Sequence, residues 1–246
     1  MIWVLLFILI FAGNNSLYLV PNFDKHMKNH VENRAEIKKF QSLLKDNYKQ
    51  KKTFHRAHQG FIKEFKTQNV SRTTTREEFE VLFTDIMIQR KRLQQSDAQT
   101  KLASTNYITV GEWKAIIAAA QKDIAKVIKQ QKKEKKRQEN IFQNLNSTIR
   151  QSIKDEIKRQ RALAASNRLK ESFFSIIDSY NAYITNTNSI IFSYQTTKEQ
   201  LVEVATQANQ LRKELHLAIS DMHFEMAEST NPREFKKIIR LINKLY

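Results

Sequence analysis

Residues 201–222, LVEVATQANQLRKELHLAISDM, place Leu201, Val204, Ala208, Leu211, Leu215, Ala218 and Met222 at alternating intervals of three and four. That alternation keeps one side of an α-helix apolar over three heptads, and it is the strongest coiled-coil signal in the chain. Thr196 and Glu199 just upstream have capping-box spacing, so the helix is expected to start there. Nothing between Glu112 and Pro232 is Gly or Pro. The residues that punctuate most chains are therefore missing from half of this one.

The same scarcity holds throughout. The chain has 3 Gly and 2 Pro in 246 residues, where average usage would supply roughly 17 and 12. Tight turns lean on Gly for φ > 0 and on Pro for a preset φ, so few turns and long helices follow. Ala, Leu, Lys, Glu, Gln and Arg dominate the middle, and all favour helix. Hydrophobic residues make up 41% and charged residues 27%. That suffices for a stripe per helix and is thin for a thick core. The expected fold is all-α, a hydrophobic transmembrane helix followed by long amphipathic helices in an elongated helical bundle or coiled coil.

Working backward, Thr109 and Glu112 open an earlier helix, with Trp113, Ile117, Ala120, Ile124 and Val127 as its stripe. Residues 129–140 contain no large apolar residue. Ile141, Leu145, Ile149, Ile153 and Ile157 resume the stripe, and Phe173, Ile177, Tyr180 and Ile184 continue it. Unbroken to Tyr183, this helix would reach on the order of 110 Å. The run Thr185 to Ser189 favours local side-chain bonding, so a hinge is expected at residues 186–189. A further helix is expected from Thr75, with Glu78 completing a capping box, and with Phe79, Leu82, Phe83, Ile86 and Leu93 buried. It should fade in the polar residues 94–100. Before it, residues 22–67 read as one helix with Ile37, Phe40, Leu44, Phe54, His58, Phe61 and Phe65 on one face. Asn47 and Lys51 fall on that seam, where polar residues cost stability and can fix register. After residue 222, Asn231, Pro232 and Glu234 start a short basic helix whose apolar side is Phe235, Ile238, Ile242 and Leu245. It either packs on the body or lies on an anionic membrane surface. The chain thus divides into a hydrophobic segment (1–21), a helical hairpin (22–103), a long helix with a basic centre (109–185), and a heptad helix with a basic terminal helix (189–246).

The N-terminus reads MIWVLLFILIFA over residues 1–12. Ile2, Trp3, Val4, Leu5, Leu6, Phe7, Ile8, Leu9, Ile10 and Phe11, with Tyr18 at the far interface, form the expected membrane segment. Residues 1–20 as a helix would reach about 30 Å, just enough for the hydrocarbon core. A cleaved signal peptide and a buried core helix are the alternatives; the missing basic n-region and poor cleavage pattern count against the first. Lys25, Lys28, Arg34, Lys38 and Lys39 follow the segment and no basic side chain precedes it. A single pass with the body in the cytoplasm is therefore expected, against an exported body if the leader is removed.

Net charge is +17, which favours anionic partners without saying which. Lys126, Lys129, Lys132, Lys133, Lys135, Lys136 and Arg137 form an expected surface for acidic lipid or nucleic acid. The alternative is a plain solvated helix, and no interleaved aromatics support base stacking. His26 with His30, and His55 with His58, could share a helix face, but without carboxylate partners at fixed spacing they read as surface histidines and not metal ligands. Asn14, Asn69 and Asn146 sit in N-x-S/T patterns that chance explains in so Asn-rich a chain. The absence of cysteine excludes disulfides and thiolate chemistry. No phosphate-cradling Gly-rich loop or nucleophile elbow occurs, so no enzyme activity, cofactor or metal is expected. Three readings follow: a membrane-anchored scaffold assembling with itself or a partner through apolar helix faces, an exported helical binding module, and a basic nucleic-acid-binding protein.

Overall fold

The computed structural model describes residue 17 and residues 20–245, without the side chains of residues 127, 128, 131, 132, 180 and 184. Residues 1–16, 18 and 19 lie outside the described residues, and with them Ile2 to Phe11 and Tyr18 of the expected membrane segment. Among the described residues the fold is all-α, and its one extended feature is a bridge between Leu17 and Val20. No helix among them is long and apolar enough to cross a membrane.

Seven α-helices follow that bridge: α1 (Phe23–His30), α2 (Arg34–Asn69), α3 (Arg76–Ala103), α4 (Val110–Ser152), α5 (Glu156–Ile191), α6 (Lys198–Ser229) and α7 (Pro232–Ile242). Capping boxes start α3 at Thr75 with Glu78, α4 at Thr109 with Glu112, and α7 at Asn231 with Glu234, as expected. The box of α6 is Thr197 with Gln200, one residue later than Thr196 with Glu199. Thr196 instead donates its hydroxyl to the Ile190 carbonyl at 2.5 Å and so ends the preceding helix.

Side-chain contacts give the order in space. Asn47 meets Asp97, Phe61 meets Phe83, and Phe65 meets Phe79, so α2 and α3 are antiparallel. Gln94 meets Asn209 and Arg76 meets Asp221, so α6 also runs antiparallel to α3. Arg161 with Glu228 and Tyr183 with Val204 pair α5 antiparallel to α6. Phe142 against Phe173 pairs α4 with α5. The main core fills α2, α3, α5, α6, the second half of α4, and α7. A second core joins Leu17, Val20, α1, the start of α2 and the start of α4 around Phe23, Phe40 and Trp113. Packed helices of this kind are compatible with a bundle.

Several expectations need correction. The expected single helix from 22 to 67 breaks at residues 31–33. Asn33 accepts hydrogen bonds from the Ala35 and Glu36 amides and starts α2 afresh, while Val31 drops into the second core. The expected 110 Å helix breaks at residues 153–155, where Asp155 caps the Lys158 amide and Arg159 donates to the Ile153 carbonyl. Buried Ile153 anchors that corner. The hinge at 186–189 is absent: α5 continues to Ile191, and Thr185 and Thr187 return their hydroxyls to the carbonyls of Asn181 and Tyr183. The break comes at residues 192–197. The helix over residues 94–100 does not fade; α3 runs to Ala103.

The 1–20 helix also fails at its second end. Leu17 and Val20 exchange two backbone hydrogen bonds across the bridge, at 3.1 and 2.9 Å, which helical backbone does not allow. Both side chains are buried against the protein's own helices. Asn22 then takes a left-handed conformation (φ 52°), tolerable for Asn. Its amide donates to Asp123 on α4 at 2.9 Å, and His26 lies 3.3 Å from the same carboxylate.

Candidate functional site

The polar side chains that break the apolar stripes of α2, α3 and α6 meet inside the protein. Each helix supplies them because its inner face needs one residue every three or four positions, and several of those positions are polar here. Asn47 and Lys51 from α2 converge on Asp97 from α3. The Asn47 amide donates to the carboxylate at 2.8 Å and the Lys51 ammonium sits 3.1 Å away. Lys51 and Asp97 are 3% and 1% exposed, so this is a charge pair held out of water. Burial pushes the Asp97 carboxyl up and the Lys51 ammonium down, and each partner's charge opposes the shift.

One helical turn along, Gln94 of α3 and Asn209 of α6 exchange side-chain hydrogen bonds at 3.2 and 2.8 Å. The buried Arg212 guanidinium donates to the same Asn209 oxygen at 2.9 Å. Arg90, also buried, lies over the Phe54 ring at 5.6 Å and reaches the Met87 sulfur. Beside this pair of arginines sit His58 and His216. Burial, then the neighbouring arginine charges, hold the His58 imidazole down at about 3 and His216 well below the ordinary value. His216 packs its ring on Phe83 at 4.1 Å. At the end of the seam His223 meets the Asn69 side-chain oxygen at 3.0 Å and turns its ring into Phe79 and Phe235. Burial lowers it to about 4. Asn69 in turn donates to Asn243 at 2.7 Å, tying α2 to the C-terminus.

A second polar junction ties the end of α3 to Trp113 of the second core. Lys101 at the end of α3 places its ammonium 3.6 Å from the Trp113 ring centre and donates to the Ser193 carbonyl at 2.8 Å. Burial lowers its pKa to about 7. Trp113 donates its indole N–H to the Phe192 carbonyl at 2.8 Å, and the Tyr194 hydroxyl reaches the Ile108 carbonyl at 2.8 Å. These bonds, all between distant segments, hold the 192–197 turn.

Among the described residues no three His, Asp or Glu side chains gather to hold a metal. Of the four histidines expected at the surface, His30 and His55 are exposed, whereas His26 and His58 are buried; His216 and His223 are buried as well. Asn69 of the N-x-S/T patterns is buried as well.

The helix-pairing face of α6 points inward. Leu201, Val204, Ala208, Leu215 and Met222 are buried, with Leu211 and Ala218 half-buried against the core. It pairs α6 with helices of its own chain. The apolar side of α7 is buried too, through Phe235, Ile238, Ile242 and Leu245, leaving Lys236, Lys237, Arg240 and Lys244 outward. On α4, Lys126, Lys129, Lys133, Lys136 and Arg137 are exposed and Lys135 is half-buried. Three of the described basic side chains there are engaged: Lys126 with Asp123, Lys135 with Asp178 and Arg137 with Glu134. The expected anionic-partner surface is thus partly neutralised, and the side chain of Lys132 is not described.

Asn209, Arg212, His216 and His223 were not expected inside. A signal existed: they repeat at intervals of three, four and seven beside the apolar heptads, marking a second inward stripe. No protein-family model matches this chain, and neither a curated protein nor a solved structure matches it.

Proposed function

We propose that the chain is a non-enzymatic helical scaffold that the apolar residues 1–12 bring to a membrane. The observation that carries this reading is an unbroken apolar run ahead of a body that buries its own apolar faces. With the α6 heptads packed inside, contacts to a partner or a second copy fall to the outward, charged faces. Acidic lipid or nucleic acid is then the natural class of partner. In membranes from expressing cells the full chain stays in the pellet after alkaline carbonate extraction, and deletion of residues 2–12 releases it. Release of the full chain by carbonate would sink the anchor.

One observation favours a second reading, an exported helical module with a removed leader. Among the described residues the core begins at Leu17. Removal of a leader near residues 13–16 would leave every described core residue in place. The N-terminal mass of the mature protein separates the two: Met1 retained supports the anchor, a start near 13–17 supports export.

A further inference from the structure

Lys38, Lys45, Lys49, Lys52, Arg56 and Lys63 follow one another along α2 at intervals of 7, 4, 3, 4 and 7 residues. Those intervals return to the same side of a helix, so the six cations form one ridge about 38 Å long. All six are exposed, and they lie opposite the buried Leu44, Phe54, Phe61 and Phe65. No acidic residue shares the ridge; Asp46 and Glu64 lie on its flank. The recorded ion pairs of α2 are Lys39–Glu36, Lys49–Asp46 and Lys51–Asp97. Among the described residues, Lys38, Lys45, Lys52, Arg56 and Lys63 have none. The fold therefore concentrates like charge along one line, offset among the described residues mainly where Asp46 pairs with Lys49.

We infer that this ridge is a docking surface for the plane of an anionic lipid membrane. A straight, convex line of charge meets a plane along its whole length. Each Lys or Arg near an anionic leaflet adds to the attraction, so the cations of such a line act together. No apolar side chain lies on the ridge, so contact is electrostatic and does not insert into the bilayer. No aromatic side chain interleaves the cations, and single-stranded nucleic acid wants one to stack on. Five lysines to one arginine suit a diffuse field of headgroups better than bidentate phosphate recognition. A second copy of the chain is a poor occupant. The acidic outer face of α6 already directs Asp221, Glu225 and Glu228 at Arg76, Arg161 and Arg168 of its neighbours. The choice of a lipid plane rests on the membrane reading above, and the test separates the two.

The full chain is mixed with vesicles of phosphatidylcholine alone and with vesicles containing about 30% phosphatidylserine, at about 0.1 M salt. Binding to the neutral vesicles reports the apolar leader. The increment from phosphatidylserine reports the ridge. Replacing Lys38, Lys45, Lys52, Arg56 and Lys63 by Gln is expected to cut that increment at least about 10-fold and to leave neutral binding unchanged. Replacing the exposed Lys122, Lys126, Lys129, Lys133 and Lys136 of α4 by Gln removes the same charge and is expected to cost less than about 3-fold. In the unmodified chain, phosphatidylserine vesicles are also expected to shield Lys45 and Lys52 from acylation more than Lys129 and Lys133, a measurement that needs no variant to fold. Equal losses in the two variants, no phosphatidylserine increment, or no selective shielding would overturn the inference. So would a nucleic-acid duplex that binds more tightly than the vesicles and is lost with the ridge. Absent neutral binding with the increment intact would remove the leader's role alone.

Discussion

Helices α2 and α6 carry opposite charge on similar frames. α2 has ten Lys and Arg against three Asp and Glu, and α6 has three against six. Their inner faces meet, Phe61 against His216 and Asn69 against His223, so their outer faces look away from each other. Three of the six acids of α6, Asp221, Glu225 and Glu228, pair with arginines of α3 and α5. Among the described residues, Lys38, Lys45, Lys52, Arg56 and Lys63 of α2 make no ion pair and face solvent. Inward polar groups therefore serve the fold on both helices, whereas outward charge serves it only on α6. That difference is why α2 offers a surface for something else.

The comparison breaks first if the inner faces are tolerant. Asp97→Leu leaves the Lys51 ammonium buried without its carboxylate and is expected to lose about 3–5 kcal/mol in urea denaturation. Adding Lys51→Met should recover most of the loss, because an apolar pair of similar volume replaces a desolvated charge pair. A double variant as unstable as the single one would mean that the pair does more than offset its own desolvation. Next in size, Leu215→Ala on the inner side of α6 should cost about 2–5 kcal/mol by cavity formation. Leu217→Ala, two residues away and 44% exposed, should stay within about 0.5 kcal/mol.

The buried histidines sharpen the same contrast through pH. His58 is held at about 3 and His223 at about 4, below an unfolded value of about 6.5. Between those values the unfolded chain binds more protons than the folded one. Their contribution is complete above about pH 6.5 and is lost as pH falls toward the folded values, with a slope of up to about 1.4 kcal/mol per pH unit for each. His223→Gln should remove its share of the slope in denaturation curves taken from pH 7 to 4. Smallest are the outer faces. Arg161→Ala, which removes exposed ion pairs to α6, should cost under about 1 kcal/mol. Lys52→Ala on the α2 ridge should be neutral or slightly stabilising, since it relieves like-charge repulsion.

Much of the local structure was legible. The caps at Thr75, Thr109 and Asn231 stand where side-chain spacing put them, because a capping box is completed within four residues. The apolar stripes of α2 and α6 likewise face inward. The breaks at Asn33 and Asp155 were not legible. Neither contains Gly or Pro, and Asn and Asp inside a helix-favouring run become caps only when Val31 and Ile153 find cores to enter. Residues 94–100 misled in the opposite direction. Their polarity suggested a fraying end, whereas Gln94, Asp97 and Lys101 are buried against partners from other segments of the chain. Thr196 lost the α6 cap to Thr197 for a similar reason, since its hydroxyl was claimed by Ile190 across the turn.

By itself the sequence determined that the described body is helical, where three of its helices start, and which side of each long stripe is apolar. These are decided by periodicity and by bonds within a single turn. Only the tertiary structure decided where unpunctuated helices end, which polar residues go inside, and which charges remain unspent. Each of those outcomes depends on whether a partner from a distant segment satisfies a buried group, and that partner has no signature in local sequence.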